Sequence, residues 1–214
     1  MRNSVLGLFI GWTLLLLVGC SFDPSPEERL AETLSKMNEA ERDYRDAQVE
    51  LAEIEKSEQQ LFLETMKLSR EQADELKVNA ARLVERQSKR LDILEVEKKS
   101  MEKARRLSDE FAAITEKAED SVKKDVESLR QAIDGRYDRH DAFLASYNEL
   151  AALQKGLYEM LTTEGTDFKK LDEHVRLVNE QNEKVQSAVE SFNESTREVN
   201  ELRGTVESRL QLIE

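Results

Sequence analysis

Beyond its first residues the sequence predicts an all-α fold, an elongated four-helix up-and-down antiparallel bundle, on three observations. Apolar residues recur at alternating steps of three and four along four segments of similar length, the spacing of one stripe on a long helix. No proline follows Pro26, and the only glycines after Cys20 are at 135, 156, 165 and 204. No stretch alternates apolar and polar with period two, so no strand is expected. A charged fraction of 36% would suit a disordered chain, but the apolar spacing is too regular for one.

Residues 1–19 have the three parts of an export signal. Arg2 supplies the positive start, Val5 to Val18 form an apolar run, and the small residue Gly19 ends it. A run of that length rises only about 21 Å as a helix, short of the roughly 30 Å hydrocarbon core of a membrane. Leu17-Val18-Gly19-Cys20 resembles the bacterial lipobox, whose cysteine thiol receives a diacylglyceryl group and becomes the new N-terminus. Cys20 is the only cysteine, which rules out an internal disulfide and leaves no free thiol after lipidation. Two acyl chains hold firmly where one is marginal. Residues 20–26 are then the lipidated cysteine and a short tether that contains both prolines, Pro24 and Pro26.

The bundle domain is expected over residues 27–214. Its first helix, 27–67, carries Leu30, Met37, Ala40, Tyr44, Ala47, Leu51, Ile54 and Leu61. Ser69 with Gln72 has the form of a capping box, which starts a second helix over 69–116. No strong breaker lies between Glu64 and Leu76, so a continuous helix through 64–72 is the alternative there. The stripe loses phase near 116–120, and a third helix follows over 119–164 with Val122, Val126, Leu129, Ile133, Arg136, His140, Phe143, Tyr147, Leu150, Gln154, Leu157 and Leu161. Gly165 suits the residue after a helix end, Thr166 an N-cap, and Asp167 the first turn of a fourth helix over 166–213. Its stripe steps through Phe168, Leu171, Val175, Val178, Asn182, Val185, Val189, Phe192, Thr196, Val199, Arg203, Val206, Leu210 and Ile213. Val189 is predicted buried there, and Val189→Asp is expected to cost several kcal/mol. Each helix would extend about 60–70 Å.

Chemistry is sparse. His140 falls in the third stripe and His174 follows Glu173, but neither has a His pair four apart or a Glu-x-x-His spacing on one helix face. Both are expected to be structural. No Gly-rich phosphate loop, Gly-x-Ser-x-Gly elbow or Cys-x-x-Cys occurs. The sequence thus predicts no catalytic or metal site, no small-molecule substrate, and no cofactor beyond the lipid at Cys20. The net charge is −13, or −14 once Arg2 leaves with residues 1–19, which argues against nucleic-acid binding.

The charge is uneven. Residues 27–75 sum to −8 and residues 77–106 to +5. One reading pairs the basic second helix with its acidic neighbour across the bundle. The other makes Lys98, Lys99, Lys103, Arg105 and Arg106 a broad contact band for anionic wall polymer or lipid headgroups.

Two stretches go beyond composition. One begins Arg136-Tyr137-Asp138 and continues through Tyr147 to Leu157-Tyr158-Glu159-Met160-Leu161. The other is Phe192-Asn193-Glu194-Ser195-Thr196 with Asn200. With the lipobox and four heptad-rich segments, they make the chain resemble the YkyA-type family of Gram-positive lipoproteins, named for cell-wall binding. The resemblance spans essentially the whole chain. It implies a four-helix bundle lipid-anchored at the outer face of the membrane, associated with peptidoglycan, wall polymer or an envelope protein, and it brings no catalytic residues. A wall rich in anionic teichoic polymers should repel a chain of −14, so wall binding would need the basic helix, bridging cations or a neutral glycan surface. The leading expectation is a non-enzymatic envelope lipoprotein that binds wall polymer or a partner protein. The alternative is a structural, scaffolding coiled-coil protein that associates with other envelope proteins.

Overall fold

Ser25 starts the first helix of the computed structural model, which describes residues 24–163 and 165–211. Leu17, Val18, Gly19 and Cys20 lie outside the described residues. Ser25 Oγ accepts from the Glu28 backbone N–H at 3.2 Å, while Glu28 accepts from the Ser25 N–H at 2.9 Å. Two orphan donors are thereby satisfied, and Pro26 occupies the first turn, where its missing N–H costs nothing. Helix α1 runs Pro26–Ala40, α2 Arg42–Thr65, α3 Ala73–Leu107, α4 Glu110–Lys117, α5 Asp120–Thr162 and α6 Phe168–Gln211, with a 3-10 turn at Arg70–Gln72 before α3. The described residues contain no strand. The chain is all-α, an elongated antiparallel bundle of four long rods: α1–α2, α3–α4, α5 and α6.

Two rods expected to be continuous are broken. The first turns at Glu41 (φ −84, ψ 7), which aims that carboxylate inward. The second turns at Ser108, a buried residue whose hydroxyl donates to Asp134 at 3.0 Å. In both places a long-range polar contact competes with helical continuity, and heptad spacing carries no sign of it. Between the first two rods, Ser69 and Gln72 make the reciprocal bonds of a capping box.

The last turn differs in detail. Gly165 takes a left-handed backbone (φ +72), which suits a residue without Cβ. Thr166 does not cap α6. Its hydroxyl donates to the carbonyls of Met160 (2.9 Å) and Thr163 (2.8 Å) and so closes α5. Asp167 is the cap of α6, accepting from the Lys169 N–H at 2.9 Å.

Helix α5 packs along α6 and α3, and α3 packs along α2 and α1. Three apolar clusters follow one another along the long axis. The first joins α1, α3, α4, α5 and α6 around Leu30, Phe111, Val126, Leu129 and Val206. The second joins Leu51, Ile93, Leu94, Tyr147, Leu150 and Val185. The third is small, with Leu61, Leu83, Leu157 and Tyr158.

The seam of α6 corrects the predicted stripe. Val178, Val185, Phe192, Val199 and Val206 do face the bundle. Between them, however, Gln181, Ala188, Ser195 and Leu202 turn inward, one residue earlier than the predicted stripe; Asn182, Val189 and Arg203 are exposed, and Thr196 stays half-buried beside Ser195. Val189 is 36% exposed. Stepping four then three satisfies the same heptad as three then four, and the small side chains of Ala188 and Ser195 suit the close approach to α5.

Candidate functional site

Polar layers divide the apolar clusters. In the first, Arg136 on α5 makes a bidentate pair with Glu41 (2.7 and 3.0 Å), and its Nε donates to Thr196 on α6 at 3.0 Å. Its guanidinium lies 5.0 Å from the Phe192 ring centroid, and the Tyr137 hydroxyl donates to Glu41 at 2.7 Å. Beside it, the fully buried Glu97 of α3 meets His140 Nε2 at 2.7 Å and accepts from Gln48 at 2.6 Å. The His140 ring is enclosed by Tyr44, Phe143 and Phe192. Burial, aided by the nearby Glu97 charge, pushes the Tyr44 hydroxyl up to about 12.

The second layer centres on Arg90 of α3, only 4% exposed. It donates to Tyr147 (2.9 Å), Gln154 (2.5 Å) and Glu58 (3.2 Å), and its Nε lies 2.8 Å from the other Glu58 oxygen. Tyr158 donates to Glu58 at 2.7 Å, and Tyr147 also donates to Glu55. Burial pushes the Glu58 carboxyl above its ordinary range, against the opposing pull of Arg90 and Tyr158. These layers staple the rods together, with the buried Arg90 Nε and Glu58 Oε2 meeting as an ion pair rather than a hydrogen bond.

The backbones of α2 and α6 do not pack closely, and a groove of about 840 Å³ opens between them. The second polar layer and Phe143, Leu150 and Val185 form its floor. Gln48, Ala52, Glu55, Lys56, Gln59 and Phe62 line one wall; Asn182, Gln186, Val189 and Glu190 line the other.

Three of the five basic side chains of the band are paired with carboxylates. Lys98 pairs with Glu102 (3.8 Å) and Lys99 with Glu95 (3.3 Å) along α3. Arg105 crosses to α5 and pairs with Asp138 (2.6 Å) and Asp141 (3.1 Å). Lys103 and Arg106 are exposed. The acidic neighbour in α2 pairs with α3 through Arg90, whose guanidinium meets Glu58 at 2.8 Å. His174 does not join the polar layers: its Nε2 meets the Leu153 carbonyl at 2.7 Å, and its ring comes within 3.0 Å of where a Cβ at Gly156 would stand. A side chain at Gly156 would displace it. Among the described residues no group of three or more His, Cys, Asp or Glu is placed to hold a metal ion.

Arg136, His140 and Gln154 stand on the apolar stripe of the third helix in the sequence, and a polar residue in such a stripe demands a buried partner. That was the available signal. The partners Glu41 and Glu97 carried none, standing among 45 acidic residues, and Gln154 is held instead by Arg90.

Fold and site together define a helical-bundle protein that presents a long surface and an open groove between α2 and α6. Residues 25–209 match the family described as "YkyA: Putative cell-wall binding lipoprotein", and the chain belongs to that family. A relative in Bacillus subtilis (strain 168), "Uncharacterized lipoprotein YkyA", is 29% identical over 193 residues, covering 88% of this chain and 85% of the relative. A solved Staphylococcus aureus structure, a conserved protein of unknown function, superposes with a TM-score of 0.70 at 16% identity. The superposition covers 86% of this chain and 96% of that one and shows a shared fold. The protein is thus a membrane-anchored, extracytoplasmic lipoprotein of this family.

Proposed function

We propose that the chain is held by a diacylglyceryl group on Cys20 and binds cell-wall material along the side of its bundle. The observation that carries this reading is the rod itself. Helix α5 alone has 43 residues and rises about 64 Å, and a tether of a few residues fixes one end near the membrane. A lipid-held rod of this length stands in the space between membrane and wall. The family description supports the same reading.

A polyanion contact by Lys98, Lys99, Lys103, Arg105 and Arg106 has less support, because three of the five are paired with carboxylates. The scaffolding alternative draws on one observation. Phe168 is 70% exposed at the α5–α6 turn, the end of the bundle opposite the start of α1, beside an apolar depression lined by Leu76, Met160, Leu161 and Leu171.

Cosedimentation of the purified protein with peptidoglycan, with and without teichoic acid, tests the proposal. Binding that persists on stripped peptidoglycan supports it. No binding to either preparation, with capture of helical envelope proteins instead, would favour the scaffold.

A further inference from the structure

We infer that the groove between α2 and α6 is a binding site for an uncharged, N-acetylated glycan chain, the backbone chemistry of peptidoglycan; this rests on the wall-binding reading. From Gln48 to Phe62 the groove follows about 21 Å of helix. Its volume lies within the usual range for ligand sites. Carboxamides face it from both sides: Gln59 on α2, Asn182 and Gln186 on α6. All three are exposed, and among the described residues none hydrogen-bonds to another protein group.

A carboxamide donates and accepts at once, which is what a sugar hydroxyl or an N-acetyl amide requires. Val189 and Phe62 add apolar surface for acetyl methyls and the C–H faces of sugar rings. The charged floor is already compensated, since Arg90 is held by Glu58, so it offers no open cation to an anion. The walls carry Glu55 and Glu190 against the exposed Lys56, a net negative charge that disfavours a teichoic polyanion. They would equally repel the same walls of a second copy. A partner helix would be expected to meet a row of apolar anchors, whereas here the rows are interrupted by amides. The buried polar layers leave the floor rigid, so little ordering is needed on binding.

The test uses the lipidated chain in detergent and the triple variant Gln59→Ala, Asn182→Ala, Gln186→Ala. Calorimetric titration with N-acetylglucosamine tetramer and cosedimentation with teichoic-acid-free peptidoglycan are the two readouts. The native chain should bind both. The variant should lose about tenfold or more in affinity, equivalent to ~1.4 kcal/mol, with its melting midpoint unchanged because the three side chains are exposed. A control with Lys103→Gln and Arg106→Gln should bind as the native chain does. Peptidoglycan binding undiminished in the triple variant would overturn the groove and leave the wall reading standing. Tetramer binding without peptidoglycan binding would keep the groove and sink the wall reading. Loss of self-association in the variant, with no glycan bound by the native chain, would assign the groove to a second copy and overturn the inference.

Discussion

Arg90 gathers Glu58, Tyr147 and Gln154 in the second of two polar layers that divide the apolar clusters of the bundle. Removing one partner of a buried pair leaves the other charge uncompensated, at a cost of about 3–5 kcal/mol. Arg90→Ala should lower unfolding free energy by that amount in denaturant titrations. A double-mutant cycle with Glu58→Gln should show strong coupling; additive single effects would mean the contact contributes little. Glu58 also sets a pH dependence. Its folded pKa is raised, so above the unfolded value of about 4.3 the folded state holds the extra proton. Its contribution to stability therefore declines as pH rises through that window. Glu58→Gln should remove this part of the slope in a series of melts against pH.

At the scale of the element, α6 separates two readings of one heptad. Val185 is 7% exposed and Val189 is 36% exposed. Val185→Asp should therefore lower the melting midpoint strongly, as a buried unpaired charge does, whereas Val189→Asp should change it by no more than about 0.5 kcal/mol equivalent. Equal effects at the two positions would restore the predicted stripe. The misplacement has a clear cause. Hydrophobicity favours Val189 over Ala188, but contact with a single close neighbour favours the smaller side chain. Glu41 teaches the same lesson in the first rod. Nothing local distinguishes it from Glu39, yet it ends a helix because Arg136, 95 residues away, holds its carboxylate.

For the whole molecule, all four tyrosines (Tyr44, Tyr137, Tyr147 and Tyr158) are raised above the ordinary tyrosine range, with burial the first cause. The unfolded chain ionises near pH 10, before the folded one. Stability should therefore be intact below pH ~10 and fall steeply above it, with tyrosinate absorbance appearing only as helicity is lost. Tyrosinate forming ahead of unfolding would mean that the polar layers are open to solvent. Anchoring is a second whole-chain prediction. Cys20→Ala should leave an unprocessed or soluble chain in cell fractionation, and a processed, membrane-bound Cys20→Ala product would mean that another group makes the attachment.

The sequence by itself determined the helical class, the four rods and their antiparallel order, because apolar spacing and the scarcity of glycine and proline act locally along each segment. It also placed Arg136, His140 and Gln154 on the stripe of the third helix. Only the tertiary structure decided which partners hold them, where the first two rods turn, and which of two equivalent heptad phases α6 buries. Those choices depend on distances between rods, which one-dimensional periodicity does not contain. The groove is of the same kind: the residues of its two walls lie more than 100 positions apart, and it exists because α6 packs on α5 and leaves α2 uncovered.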